Sequence, residues 1–154
     1  MSSSSYHNVL FTWAESIDAK AWSQLQDLFA PTISIDYGAV GGPKASEAPS
    51  ATFVDWVSDP TRLGNPEIIT QHLLGACHWT EPFEDTAGRM RVTVKFQIRA
   101  AHWKRTSSTS TSSATGHGTN LMELVMDQQG QWKIVAVTVG MKWLEGDLQA
   151  VFSQ

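Results

Sequence analysis

Met90-Arg91-Val92-Thr93-Val94-Lys95-Phe96-Gln97-Ile98-Arg99-Ala100-Ala101-His102-Trp103 is the stretch from which the rest of the chain can be read. Side chains of an extended strand alternate between two faces. Met90, Val92, Val94, Phe96, Ile98 and Ala100 therefore share one face, and Arg91, Thr93, Lys95, Gln97 and Arg99 share the other. The pattern predicts a long strand over Arg89 to Trp103, apolar inside and wet outside, as antiparallel sheets commonly are. His102 falls in phase with the apolar set. A titratable ring is placed on the inward face.

Working outward, Thr70 to Trp79 repeats the period of two and carries a second inward histidine, His72, with Leu74, Ala76 and His78 in phase. Gly118 to Met126 and Trp132 to Trp143 read as two more strands. Asp127-Gln128-Gln129-Gly130 between them is a tight hairpin signal. Ile33 to Tyr37 alternates as a short first strand. Upstream the period changes. Val9, Leu10, Trp13, Ala14 and Ile17 follow a helical spacing over Tyr6 to Ala19. Trp22, Leu25, Leu28 and Phe29 form the stripe of a shorter helix, which Pro31 stops. Gly38 to Pro49, including Gly41-Gly42, reads as a loop. Ser50 is placed to cap a helix bearing Phe53, Trp56 and Val57. Leu148, Val151 and Phe152 suggest a closing amphipathic turn. The Ser/Thr-rich run 106–115 reads as a flexible hairpin loop. Helices first and an antiparallel sheet after them give an α+β fold, one domain over 1–154, with helices packed on a curved, cone-shaped sheet around an internal cavity.

Composition narrows the function classes. The 154 residues are 42% hydrophobic, enough for a packed core, and include seven Trp, six Phe and five Met that would line a pocket with large apolar groups. Net charge is −4, and Lys104-Arg105 is the longest basic run, which argues against a nucleic-acid or anionic-membrane surface. No apolar stretch approaches spanning length. The single cysteine, Cys77, precludes an internal disulfide and is read as a small buried hydrophobe. With an N-terminus lacking basic and apolar leader segments, it points to a reducing, cytoplasmic setting. Cys77, His78 and His117 lack the paired spacing of a metal site. No phosphate loop, nucleophile elbow or dinucleotide fingerprint is present.

The residues that suit chemistry are His72, His102, Asp18, Tyr37 and Asn120. Imidazole titrates close to neutrality, so two rings in one cavity suit proton transfer. The plain alternative for each is a buried ring bonded to a backbone carbonyl. Asp18 has two readings: N-cap of the second helix, slightly favoured by local sequence, or the carboxylate that fixes an imidazole tautomer. Tyr37 offers a phenol donor to a developing enolate, or is an ordinary strand-end tyrosine. Asn120 stands in a strand that otherwise reads Met122, Leu124, Met126, so its amide needs a bonding task.

At these residues the chain resembles the scytalone dehydratase family. The matching stretches are Trp13 to Asp18, Ala30-Pro31-Thr32 through Ile35-Asp36-Tyr37, Thr70-Gln71-His72, Arg99 to His102, Thr119-Asn120-Leu121 and Trp143-Leu144-Glu145. The resemblance implies the cone-shaped fold of the nuclear-transport-factor-two and ketosteroid-isomerase superfamily, a homotrimer, and no cofactor. It implies that Tyr37 polarises a carbonyl through water, that His72 and His102 move the α-proton and assist the departing hydroxyl, and that Asp18 orients His102. Asn120 would bind a substrate hydroxyl. Ile17, Trp13, Phe53 and Val57 would line the substrate site, with Leu148 and Phe152 as its C-terminal lid. Two departures alter recognition. Ile17 stands where the family has a second carbonyl-directed tyrosine, and Gly118 where it has a serine. The expected substrate is therefore a related polyketide-like or aromatic β-hydroxy ketone rather than scytalone, and the expected reaction is dehydration. An isomerase or cyclase using the same proton transfers, and a non-catalytic ligand-binding or association module, are the alternatives.

Overall fold

The computed structural model describes residues 5–153, so most of the N-terminal stretch read as lacking a leader lies outside the described residues. Along the chain come α1 (Tyr6–Asp18), α2 (Trp22–Leu28), β1 (Phe29–Asp36), a 3₁₀ turn (Gly38–Val40), β2 (Lys44–Pro49), α3 (Ser50–Val57), β3 (Ile68–Trp79), β4 (Phe83–Glu84), β5 (Met90–Arg105), β6 (Thr111–Met126), β7 (Trp132–Thr138), β8 (Met141–Gly146) and α4 (Leu148–Phe152). No described helix is long and apolar enough to cross a membrane.

The strands form one curved, unclosed sheet in the order β2-β1-β7-β6-β5-β3, with β4 added on β5 and β8 on β6. All pairings are antiparallel except β1 with β7, which is parallel. The fold is thus α+β, as expected, with one parallel pair that periodicity does not reveal. On β5, Val92, Val94, Phe96 and Ile98 are buried while Lys95, Gln97 and Arg99 are exposed, as the alternation requires. Their inward face meets the apolar stripe of α1, where Leu10, Trp13 and Ile17 are each at most 3% exposed. Burial of each such side chain is worth about 1.5–3 kcal/mol.

The end of α1 decides where Asp18 points. Lys20 adopts the left-handed conformation (φ 55°). The amides of Lys20 and Ala21 turn back onto the carbonyls of Ile17 and Ser16. This double closure ends the helix at its C-terminus. Asp18 is consequently the last helical residue and not the cap of α2, whose N-cap is Ala21 with no side-chain bond.

Several expected boundaries shift. β1 starts at Phe29 and runs through Pro31, which is tolerated because pairing with β7 is interrupted between Phe29 and Ser34 and pairing with β2 begins only at Thr32. Half of the segment read as a loop is β2, with Glu47 in a left-handed bulge conformation (φ 55°). Ser50 is not a cap: its hydroxyl accepts from Gln26 instead. β6 begins at Thr111, so the Ser/Thr turn spans only 106–110. The single strand expected over Trp132 to Trp143 is split at Val139-Gly140 into β7 and β8. On β3 one extra residue between Leu74 and Cys77 breaks the period of two. From Gly75 to His78 every residue is exposed, so Cys77 is not the buried hydrophobe expected.

Candidate active site

His72 and His102 reach the same cavity because of strand register. Thr70 on β3 lies opposite His102 on β5, and His72 lies opposite Ala100. Directly opposed residues share a face, so the two histidines are diagonal neighbours on the inward side. Their ring centroids are 6.3 Å apart. The edges of Trp13 and Phe152 fix the rings from the two sides, at 5.8 Å from His72 and 5.8 Å from His102.

Asp18 accepts three bonds from β3. His72 Nδ1 lies 2.6 Å from Oδ1, the Thr70 hydroxyl 2.9 Å from Oδ1, and the His72 amide 2.7 Å from Oδ2. Neutral His72 therefore carries its proton on Nδ1 and presents Nε2 to the cavity. Burial by itself would raise the Asp18 pKa, but the His72 ring bond, the His72 charge, its amide and the Thr70 hydroxyl together hold the carboxyl below its ordinary value. Asp18 orients His72, not His102 as the resemblance implied. The reason is positional: the last turn of α1 packs on β3, which brings the carboxylate to Thr70 and His72.

His102 is held differently. Its Nδ1 is 3.1 Å from the Ala100 carbonyl, which fixes the proton there in the neutral ring. Burial and the neighbouring His72 push its pKa down to about 4, against the opposing pull of the Ala100 and Ala114 carbonyls and Asp18. His102 is thus a neutral imidazole with its Nε2 lone pair unprotonated.

Tyr37 follows β1 and packs against Phe53 (5.0 Å) and Trp56 (5.7 Å). Burial raises its pKa well above the ordinary phenol value, so it is a hydroxyl donor. Its hydroxyl has no hydrogen-bond partner among the described residues, while its amide donates to the Pro43 carbonyl. Gly42, read from sequence as loop only, is what lets it sit there. A Cβ at Gly42 would lie 2.7 Å from Tyr37 Cβ and 2.9 Å from the Trp56 ring.

The cavity has a volume of about 170 Å³. That is on the scale of the roughly 150 Å³ apolar void that takes up a benzene ring. Small residues on facing strands leave it open: Ala100 opposes Gly116. Trp13, Ile17, Tyr37, Val57, His72, His102, Leu148 and Phe152 line it. Asp18 stands behind His72. Two expected residues do not line it. Phe53 is buried behind Tyr37, and Asn120 is buried with its Oδ1 accepting from the Gly140 amide at 3.3 Å. That amide lies at the break between β7 and β8 and has no ladder partner, which accounts for the polar residue in an apolar strand. Trp56, Arg62, Leu63, Met141 and Leu144 also line the cavity and were not anticipated. They sit on a turn, on α3 and on a strand the sequence pattern did not separate. Among the described residues no group of three or more His, Cys, Asp or Glu side chains is arranged to hold a metal ion. His117 is buried elsewhere, stacked on Trp143 at 4.4 Å.

A family model described as scytalone dehydratase matches residues 3–154. A scytalone dehydratase-like protein of Claviceps purpurea is 38% identical over 148 residues, covering 94% of this chain and 90% of the relative. Scytalone dehydratase arp1 of Aspergillus fumigatus is 38% identical over 146 residues, covering 94% and 84%. Among solved structures, Kfla4162 of Kribbella flavida shares the fold at a TM-score of 0.74 with 17% identity, covering 90% of this chain and 89% of that one. The hexachlorocyclohexane dehydrochlorinase LinA-type3 of Novosphingobium barchaimii does so at 0.63 with 11% identity, covering 96% and 91%.

Proposed function

The chain belongs to the scytalone dehydratase family, and from that premise we propose that it removes water from a ring-bearing β-hydroxy ketone of the polyketide type, without a cofactor. The Asp18–His72 pair, set beside a neutral His102 in one small cavity, carries the reading. His72 Nε2 takes the proton α to the carbonyl, and the C–H electron pair moves onto the carbonyl oxygen. The Tyr37 hydroxyl donates to that enolate; a donor of this kind is worth about 3–4 kcal/mol of barrier. Asp18 faces the imidazolium that forms. When the carbonyl re-forms, the β C–O bond breaks. The departing hydroxide takes the proton back from His72 and leaves as water, and the α–β bond becomes double. The His102 lone pair accepts from the β-hydroxyl before departure and sets its direction. Proton and electrons balance within substrate and one imidazole.

The test is turnover of a β-hydroxy ketone polyketide intermediate, followed by the absorbance of the conjugated product and by the mass lost as one water. His72→Ala and His102→Ala each lose at least about a hundredfold in rate. Equal rates for the wild type and both variants would end the proposal. Ile17, buried and lining the cavity, motivates a second reading, because an apolar wall suits isomerisation or dehydration-coupled cyclisation. A product of unchanged mass identifies isomerisation.

A further inference from the structure

Among the described residues Arg62 is the one permanently charged side chain that lines the cavity, exposed at its edge, and its setting calls for an anion. The guanidinium carbon lies 4.6 Å from the centroid of the Trp56 ring, a second lining residue. No carboxylate forms an ion pair with it among the described residues. The Thr61 hydroxyl and amide, and to a lesser degree the Arg62 charge, hold the Asp59 carboxyl below its ordinary value. Its Oδ1 is taken by the Thr61 amide (2.7 Å) and hydroxyl (2.5 Å).

The loop that presents Arg62 is held closed. The Asp59 carbonyl accepts from the amides of both Arg62 (2.8 Å) and Gly64 (3.1 Å). Gly64 has no room for a side chain, since a Cβ would fall 1.9 Å from the Ser58 carbonyl oxygen. Lys20, from the end of α1, donates its ammonium to the Leu63 carbonyl. A stacked guanidinium on such a loop loses little conformational freedom on binding, and its planar fork matches a carboxylate or phenolate. The remaining lining offers as polar groups only the His72 and His102 rings, the Tyr37 hydroxyl and the indole N–H groups of Trp13 and Trp56, none of them a permanent charge.

We propose that Arg62 is a specificity-determining residue, and that it selects substrates whose ring carries an anionic group, a carboxylate or an ionised phenol, directed to the mouth of the cavity. The inference rests on the cavity reading given above and deepens it by naming the substrate's charge. It makes no demand on the proton chemistry.

The test uses two flat ring probes that differ in charge alone, 2-naphthoate and 2-naphthamide, titrated calorimetrically at pH 7 into the full chain. Wild type is expected to hold the carboxylate about tenfold more tightly than the amide. In Arg62→Gln the two affinities converge, with the amide's unchanged, and Arg62→Lys falls between. Raising the salt to about 0.5 M weakens naphthoate and leaves naphthamide alone. Equal affinities in the wild type, or a preference that survives in Arg62→Gln, overturn the assignment of Arg62 and leave the elimination chemistry standing. Failure of both probes, and of the smaller pair benzoate and benzamide, to bind overturns the ring-sized cavity, and both readings with it.

Discussion

A single carboxylate does three things at residue scale: Asp18 closes on a hydroxyl, an amide and an imidazole of one strand. Asp18→Asn keeps the size but turns a pure acceptor into a group that can also donate, so the His72 tautomer is no longer fixed. The rate of elimination is expected to fall by about 10²–10⁴, with substrate affinity changed far less; steady-state kinetics of the variant against the wild type checks this. His102 gives a second outcome. Its folded pKa of about 4 lies below that of an unfolded histidine, roughly 6.5. Between these values the unfolded chain binds the extra proton. The stability conferred by neutral His102 is therefore complete above about pH 6.5 and is lost as the pH falls toward 4, on the order of 3 kcal/mol in all. The His102 resonances followed by NMR should show its ring still neutral at pH 5. Urea unfolding of His102→Gln should show a flatter loss of stability between pH 6.5 and 4.5, and an unchanged slope would remove His102 as its cause. At this scale the sequence is informative about which rings face inward. Phase alone puts His72 and His102 indoors. It does not say which imidazole Asp18 meets, because that depends on the helix C-terminus at Lys20, where a lysine takes a conformation that usually selects glycine.

At the scale of elements, α4 is five residues long and too short to be stable by itself. It is held by three things. Asp147 caps it by accepting from the Ala150 amide at 2.9 Å. Val151 is fully buried against Ile68 and Ala114. The ammonium of Lys104, a buried side chain on β5, donates to the Ser153 carbonyl at 2.6 Å. Leu148 and Phe152 thereby stay over the cavity, with the Phe152 edge on His102. Lys104→Met keeps the apolar stem and removes the latch. A buried charge-assisted hydrogen bond of this kind is worth roughly 1.5–3 kcal/mol, so KM should rise about tenfold or more while kcat stays within about twofold. An equal fall in kcat would mean that the helix, once loosened, also displaces His102. The helix itself is legible from Leu148, Val151 and Phe152, whereas its latch is not, because Lys104 and Ser153 meet only through the sheet. For the same reason β2 and the division of β7 from β8 escape a reading based on periodicity. The first, Lys44–Pro49, mixes Lys, Ala, Ser, Glu and Pro with no large apolar residue to mark a phase. The second turns on an amide of Gly140 that Asn120 must satisfy.

Across the whole molecule the sheet has two unequal faces. The inner one is covered by α1 and α3 and by the cavity. The outer one carries a row read straight off the register: Leu73 on β3, Arg99 on β5, His117 on β6 and Trp143 on β8 lie opposite one another in turn. Leu73 and Trp143 are each 53% exposed, and Ile69 and Leu121 on the same strands are exposed as well. Grouped apolar exposure of this kind on a sheet is the mark of an association surface. The alternation along β5 anticipates a polar outer face and predicts Arg99 correctly. It misses the apolar ends of the row because Leu73 and Trp143 belong to strands whose phase is broken, by the bulge after Leu74 and by the split at Gly140. We expect this face to join copies of the chain, with the homotrimer implied by the family resemblance as the specific outcome. Sedimentation velocity at micromolar concentration should then show one species of three times the chain mass. Leu73→Glu and Trp143→Glu place charges in the row without touching the cavity, and the double variant should sediment as a single chain with its far-ultraviolet circular dichroism intact. A wild type that sediments as a single chain, or a double variant that assembles like the wild type, removes this face as the contact. Neither result bears on the His72–His102 site as described, whose named lining lies within a single chain.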